Sequence, residues 1–91
     1  MSLIEIQVIF KGHVQGVGFR ATLQRHAEHF QINGFARNLE DGSVEMVVQG
    51  EKEALNQLIQ AIQDKPRAAT ISSLSSIESQ PQALFNNFLI I

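Results

Sequence analysis

Residues 4–30 read IEIQVIFKGHVQGVGFRATLQRHAEHF, and the spacing of apolar residues changes period within this run. Ile4, Ile6, Val8 and Phe10 alternate with Glu5, Gln7 and Ile9, the two-residue repeat of a strand with one buried face. Gly12, Gly16 and Gly18 then break the repeat, with His13, Val14, Gln15 and Val17 between them, which predicts a loop. From Phe19 the spacing becomes three to four. Phe19, Leu23, Ala27 and Phe30 share one helical face, Gln24, Arg25 and Glu28 take the other, and the helix is expected to end near Gln31.

Outward from this strand–loop–helix, residues 32–39 predict a second strand running into Glu40-Asp41-Gly42-Ser43, where Asp-Gly is a strong hairpin signal. Val44, Met46 and Val48 alternate with Glu45, Val47 and Gln49 in a third strand that stops at Gly50. Ala54, Leu55, Leu58, Ile59 and Ile62 form the stripe of a second helix, with Glu51 and Glu53 suited to its positive end. Pro66 closes that helix. Residues 71–78 are serine-rich and weakly alternating, which predicts a fourth strand nearer a sheet edge than its centre; Pro81 falls in the loop after it, and residues 88–91 add a short terminal strand.

The order strand, helix, strand, strand, helix, strand predicts an α+β, ferredoxin-like βαββαβ sandwich, with two helices on one face of an antiparallel sheet and a short extra C-terminal strand. A strand–helix–strand crossover makes its two strands parallel. Strand two therefore finishes at the end where strand one enters its loop, which brings Asn38 near the residues preceding Arg20.

The chain has 91 residues, 44% of them apolar, which is room for one domain over 1–91 and one modest core. It has no cysteine, so the core is expected to hold the fold without disulfides, and thiol chemistry is excluded. The start, Met-Ser-Leu-Ile-Glu-Ile-Gln, has neither a basic leader nor a continuous apolar stretch, so a cytoplasmic protein with no membrane association is expected. A formal net charge of −2, with neither tryptophan nor tyrosine, argues against a nucleic-acid partner, since phosphate backbones need basic faces and bases need exposed aromatic platforms. A small acidic monomer is the simplest expectation.

The glycine-rich turn from strand to helix is the chemically pointed feature. Such a turn exposes N–H groups at the positive end of a helix dipole and favours an anion. Arg20 adds a permanent cation whose planar fork grips two phosphate oxygens at once. At a helix start a cation is otherwise unfavourable, which favours a functional reason for it. Gly16, Gly18 and Ala21 only approximate a dinucleotide fingerprint, and the Asp-Gly hairpin contradicts the parallel alternation that fold needs. No Gly-Lys-Ser or Gly-Lys-Thr follows. His26 and His29 stand three apart with no third ligand nearby and read as surface histidines; no metal site is expected.

Gly12-His13-Val14-Gln15-Gly16-Val17-Gly18-Phe19-Arg20 resembles the signature of the acylphosphatase family, and residues 34–45, GFARNLEDGSVE, resemble its second motif, with the family's catalytic asparagine falling on Asn38. Weaker likenesses run through Pro66, Ala69 and Ile71 to Phe85, Phe88 and Ile90. The resemblance implies hydrolysis of acyl phosphates to carboxylate and inorganic phosphate, with no cofactor. It assigns phosphate binding to the loop Gln15, Gly16, Val17, Gly18, Phe19 and Arg20, and places Arg20 and Asn38 as the catalytic pair. A noncatalytic module binding acyl phosphate or carbamoyl phosphate is the alternative. The chain departs from the pattern in three places: at Ala21-Thr22, where an aromatic often follows the arginine, at Phe35 in place of tryptophan or tyrosine, and at Gln31, where glycine often ends the helix. If Gln31 is left-handed it costs up to about 1 kcal/mol.

Overall fold

The computed structural model describes residues 2–91, in the order β1 (Ile4–His13), α1 (Phe19–His29), β2 (Asn33–Asn38), β3 (Val44–Gly50), α2 (Lys52–Asp64), β4 (Thr70–Ser79) and β5 (Phe88–Ile90). The sheet order is β4-β1-β3-β2-β5. β3 is antiparallel to both β1 and β2, so those two strands are parallel to each other, as the crossover argument requires. β4 lies at an edge, as its weak alternation predicts.

One face of the sheet is covered by the helices. Ile6, Val8 and Phe10 of β1, with Val44, Met46 and Val48 of β3, meet Phe19, Leu23 and Ala27 of α1 and Leu55, Leu58 and Ile62 of α2, all buried. Burial of each large side chain contributes about 1.5–3 kcal/mol, and with no disulfide this cluster is the main source of stability. Phe10 and Phe19 stack edge to face with ring centroids 5.1 Å apart, which ties the last core position of β1 to the first residue of α1.

The other face is polar but also largely covered. Glu45 is buried there and accepts hydrogen bonds from Gln7 Nε2 and Arg37 Nε. Gln49 donates to Glu5 and to the Ala83 carbonyl while accepting from the Phe85 N–H. Phe85 also stacks edge to face on Phe35, at 5.6 Å. Residues 80–87 thus strap the chain across this face, from the β4 edge to the opposite one.

The strap corrects one expectation. The sheet is mixed, because β5 joins β2 in parallel, pairing Phe88 with Gly34 and Ile90 with Ala36. A second correction concerns Gly12 and His13, expected in the loop but found as the last residues of β1, where the pairing with β4 shifts register between Lys11 and Gly12. A Cβ on Gly12 would stand 2.2 Å from the Thr70 carbonyl oxygen, so the strand continues because glycine lets the neighbouring backbone approach. No helix among the described residues is long and apolar enough to cross a membrane.

Helix α1 closes on a left-handed residue at Gln31, φ 58°, with Ile32 N–H bonded to the Ala27 carbonyl and Gln31 N–H to the Glu28 carbonyl. This is a Schellman closure in which glutamine occupies the position glycine usually takes.

Candidate active site

Residues 14–18 make the turn between β1 and α1. Gly16 and Gly18 adopt φ 76° and 73°, a region that costs a side-chain-bearing residue roughly 1–2 kcal/mol. A Cβ on either would meet no atom within 4 Å, so backbone conformation alone demands glycine, and the space above both is open. Val14, 1% exposed, pins the turn to the core from below.

Gly18 is also the N-cap of α1 and offers no side chain to the first-turn amides. The first helical bond runs from Thr22 N–H to the Gly18 carbonyl at 3.1 Å, leaving the N–H groups of Phe19, Arg20 and Ala21 without an intrahelical partner. No acidic residue occupies that turn. The positive end of the helix therefore faces the open space uncompensated, an arrangement that favours an anion.

Asn38 reaches the same place from β2, of which it is the last residue, paired with Val44. The hairpin that follows is tightly held. Leu39 N–H bonds to the Ser43 carbonyl at 2.9 Å, and the Asp41 carboxylate accepts from both the N–H and the hydroxyl of Ser43. Those two bonds, the hydroxyl first, with a smaller contribution from the Lys11 cation, hold the Asp41 carboxyl below its ordinary range.

Gly16, Gly18, Phe19, Arg20 and Asn38 line one cleft of about 190 Å³, together with Val14, Ala21 and Ile90. Arg20 joins no ion pair among the described residues, and its guanidinium donates to the Ile91 carbonyl at 3.2 Å, which aligns it along β5. Two residues of the expected loop do not line the cleft. Val17 packs against the core, and the Gln15 side chain turns to the hairpin, where its Nε2 donates to the Leu39 carbonyl at 2.8 Å and the Ser43 carbonyl at 2.9 Å. Gln15 thus ties the loop to the residue following Asn38. Its glutamine identity was the available signal, since a loop used only through its backbone needs no long amide side chain. Ile90 belongs to the predicted terminal strand, but its place in the cleft had no sequence signal, because it arrives there only through the strap and the parallel pairing of β5.

His26 Nε2 lies 3.0 Å from the Lys65 carbonyl, and no group of three or more His, Asp or Glu side chains suited to a metal occurs among the described residues. Asp41 shapes the turn, and Arg37 is committed to Glu45 on the other face of the sheet.

The family model described as Acylphosphatase matches residues 6–90. An acylphosphatase of Caldivirga maquilingensis is 46% identical over 72 residues, covering 78% of this chain and 76% of that protein. One of Yersinia pseudotuberculosis is 42% identical over 91 residues, covering 99% and 98% respectively. The crystal structure of acylphosphatase from Bacillus subtilis superposes with a TM-score of 0.90 at 30% identity, covering 97% of this chain and 98% of that one.

Proposed function

The chain belongs to the acylphosphatase family and is a hydrolase of acyl phosphates, and from that premise we propose how its residues divide the work. The main-chain amides of residues 15–20 and the Arg20 guanidinium hold the phosphate, and the Asn38 carboxamide aims the attacking water. The observation that carries this reading is the shared cleft, in which an uncompensated helix N-terminus, Arg20 with no acidic side chain paired to it among the described residues, and Asn38 face one small space.

The chemistry suits such sparse equipment. Water oxygen attacks phosphorus while the bond from phosphorus to the acyl oxygen breaks, and that electron pair leaves as carboxylate, a good leaving group that needs no acid. The water proton passes to a phosphate oxygen of the substrate, so the products are a carboxylate and inorganic phosphate. A loose transition state spreads negative charge over the equatorial oxygens, where fixed amides and a guanidinium act most strongly. In this reading Arg20 supplies the neutralisation that a metal gives in other phosphoryl transfers. The exposed wall made by Ala21 and Ile90 receives the acyl group. We further propose that residues 1–91 work as one domain and as a monomer in the cytoplasm, free of membrane and nucleic acid.

Hydrolysis of benzoyl phosphate in the presence of a chelator tests the assignment. Arg20→Ala and Asn38→Ala should each lower kcat/KM by roughly 100- to 1,000-fold while leaving the circular dichroism spectrum unchanged. Undiminished turnover in both variants, or its loss on chelation, rejects the division of roles. Binding of the substrate without turnover by the unaltered protein would select the noncatalytic acyl-phosphate or carbamoyl-phosphate module.

A further inference from the structure

A second cationic cleft lies alongside α1. It encloses about 300 Å³ between α1 and the segment after α2, and it is lined by Thr22, Arg25, His26, His29, Lys65 and Arg67. Three of the seven lysines and arginines of a chain with net charge −2 converge here, and no carboxylate lines it. Among the described residues, Arg25, Lys65 and Arg67 join no ion pair. The cleft is larger than the one holding Arg20 and Asn38 and shares no lining residue with it.

The two walls are fixed to each other. His26 Nε2 meets the Lys65 carbonyl at 3.0 Å, and the Thr22 hydroxyl donates to the Gly18 carbonyl, so His26 Nε2 and the Thr22 hydroxyl proton are already committed. Lys65, the residue that caps the C-terminus of α2, also suits the negative end of that helix dipole, which accounts for part of the cluster. That effect explains neither the missing counter-charge nor Arg67. Arg67 is one of only two side-chain-bearing residues with positive φ among those described, at 59°, and the other, Gln31, closes a helix. Strain of this kind, kept where glycine would relieve it, points to a task for the side chain.

We propose that this cleft is a second anion site, for a compact polyphosphate: the phosphate chain of a nucleoside triphosphate or of inorganic tripolyphosphate. The cations Arg25, Lys65 and Arg67 offset most of the negative charge of a triphosphate chain, and the volume stands at the small end of ligand pockets, enough for such a chain. The negative net charge of the molecule disfavours a long nucleic acid, whose binding needs an extended basic surface. Arg25 and Arg67 grip phosphate oxygens as planar forks, with Lys65 and the His29 ring completing the ring of donors.

Metal-free tripolyphosphate, ATP and a 12-nucleotide single-stranded RNA are to be titrated against the full chain, with main-chain and imidazole NMR shifts read at each residue. Tripolyphosphate and ATP should shift Arg25, His29, Lys65 and Arg67; comparable affinities identify the phosphate chain as the ligand, and tighter ATP identifies a nucleotide. Arg67→Gly keeps a backbone suited to φ 59°, so it should fold with an unlowered Tm, and combined with Arg25→Ala it should weaken tripolyphosphate at this cleft at least tenfold. Benzoyl phosphate hydrolysis without added polyphosphate should stay unchanged in that double variant. Shifts confined to residues 14–20 and 38, an undiminished affinity in the double variant, or binding of RNA alone would each overturn the proposal.

Discussion

Gln15 spends both amide hydrogens on the Leu39 and Ser43 carbonyls, next to Asn38, so a residue of the loop positions the opposite wall of the cleft. Gln15→Leu removes both bonds at little change in size. It should cost about 1–3 kcal/mol in urea unfolding and, on the roles proposed above, lower kcat for benzoyl phosphate more than it raises KM, because the wall carrying Asn38 loosens while the loop amides and Arg20 are left in place. Gln31 offers the opposite sign. With φ 58° it bears the left-handed penalty, and Gln31→Gly should raise stability by up to about 1 kcal/mol in the same measurement. Asp41 adds a pH dependence. Its folded-state carboxyl titrates below the unfolded value near 3.8, so its stabilisation is fully present above that value and is lost as pH falls through the depressed one. The Tm difference between the unaltered chain and Asp41→Asn should therefore shrink on acidification below pH 3.8 and stay flat at neutral pH.

At the scale of elements, the turn is only as rigid as the strand and helix that carry it. Phe10 and Phe19, both fully buried, grip each other at its two ends. Phe19→Ala should cost about 3–5 kcal/mol in chemical denaturation and, on the proposal that the first-turn amides hold phosphate, should also weaken phosphate inhibition of hydrolysis, since those amides lose their anchor. A core substitution equally buried but remote from the turn, such as Ile62→Ala, should cost stability without that second effect. The first helix and the turn were legible because the period of apolar residues changes from two to about four at a run of glycines, and the places of Gly16 and Gly18 follow from backbone sterics. The bound at Gly12 was not legible. Its closeness to Thr70 is a contact with a strand almost sixty residues later, and no local pattern distinguishes a glycine that ends a strand from one that lets two strands approach.

Across the whole molecule, the strap of residues 80–87 decides who neighbours whom. Gln49 and Phe35 hold it on the polar face, and it delivers β5 beside β2, so that Ile90 enters the cleft and the Ile91 carbonyl meets Arg20. Phe88, 5% exposed, anchors that strand, and Phe88→Ala should cost about 3–5 kcal/mol and raise KM for benzoyl phosphate through the disturbed wall and guanidinium. The sequence by itself determined the kind and order of the elements and the end of the sheet where Arg20 and Asn38 gather. Those features follow from apolar periodicity, turn chemistry and the handed, parallel nature of crossovers, all of which act over short stretches of chain. Only the tertiary structure decided the parallel pairing of β5, the turning of Gln15 toward the hairpin and the meeting of α1 with Lys65 and Arg67. Each of these joins residues more than twenty positions apart, and the energy that selects it resides in the contact itself, which neither partner's local sequence encodes.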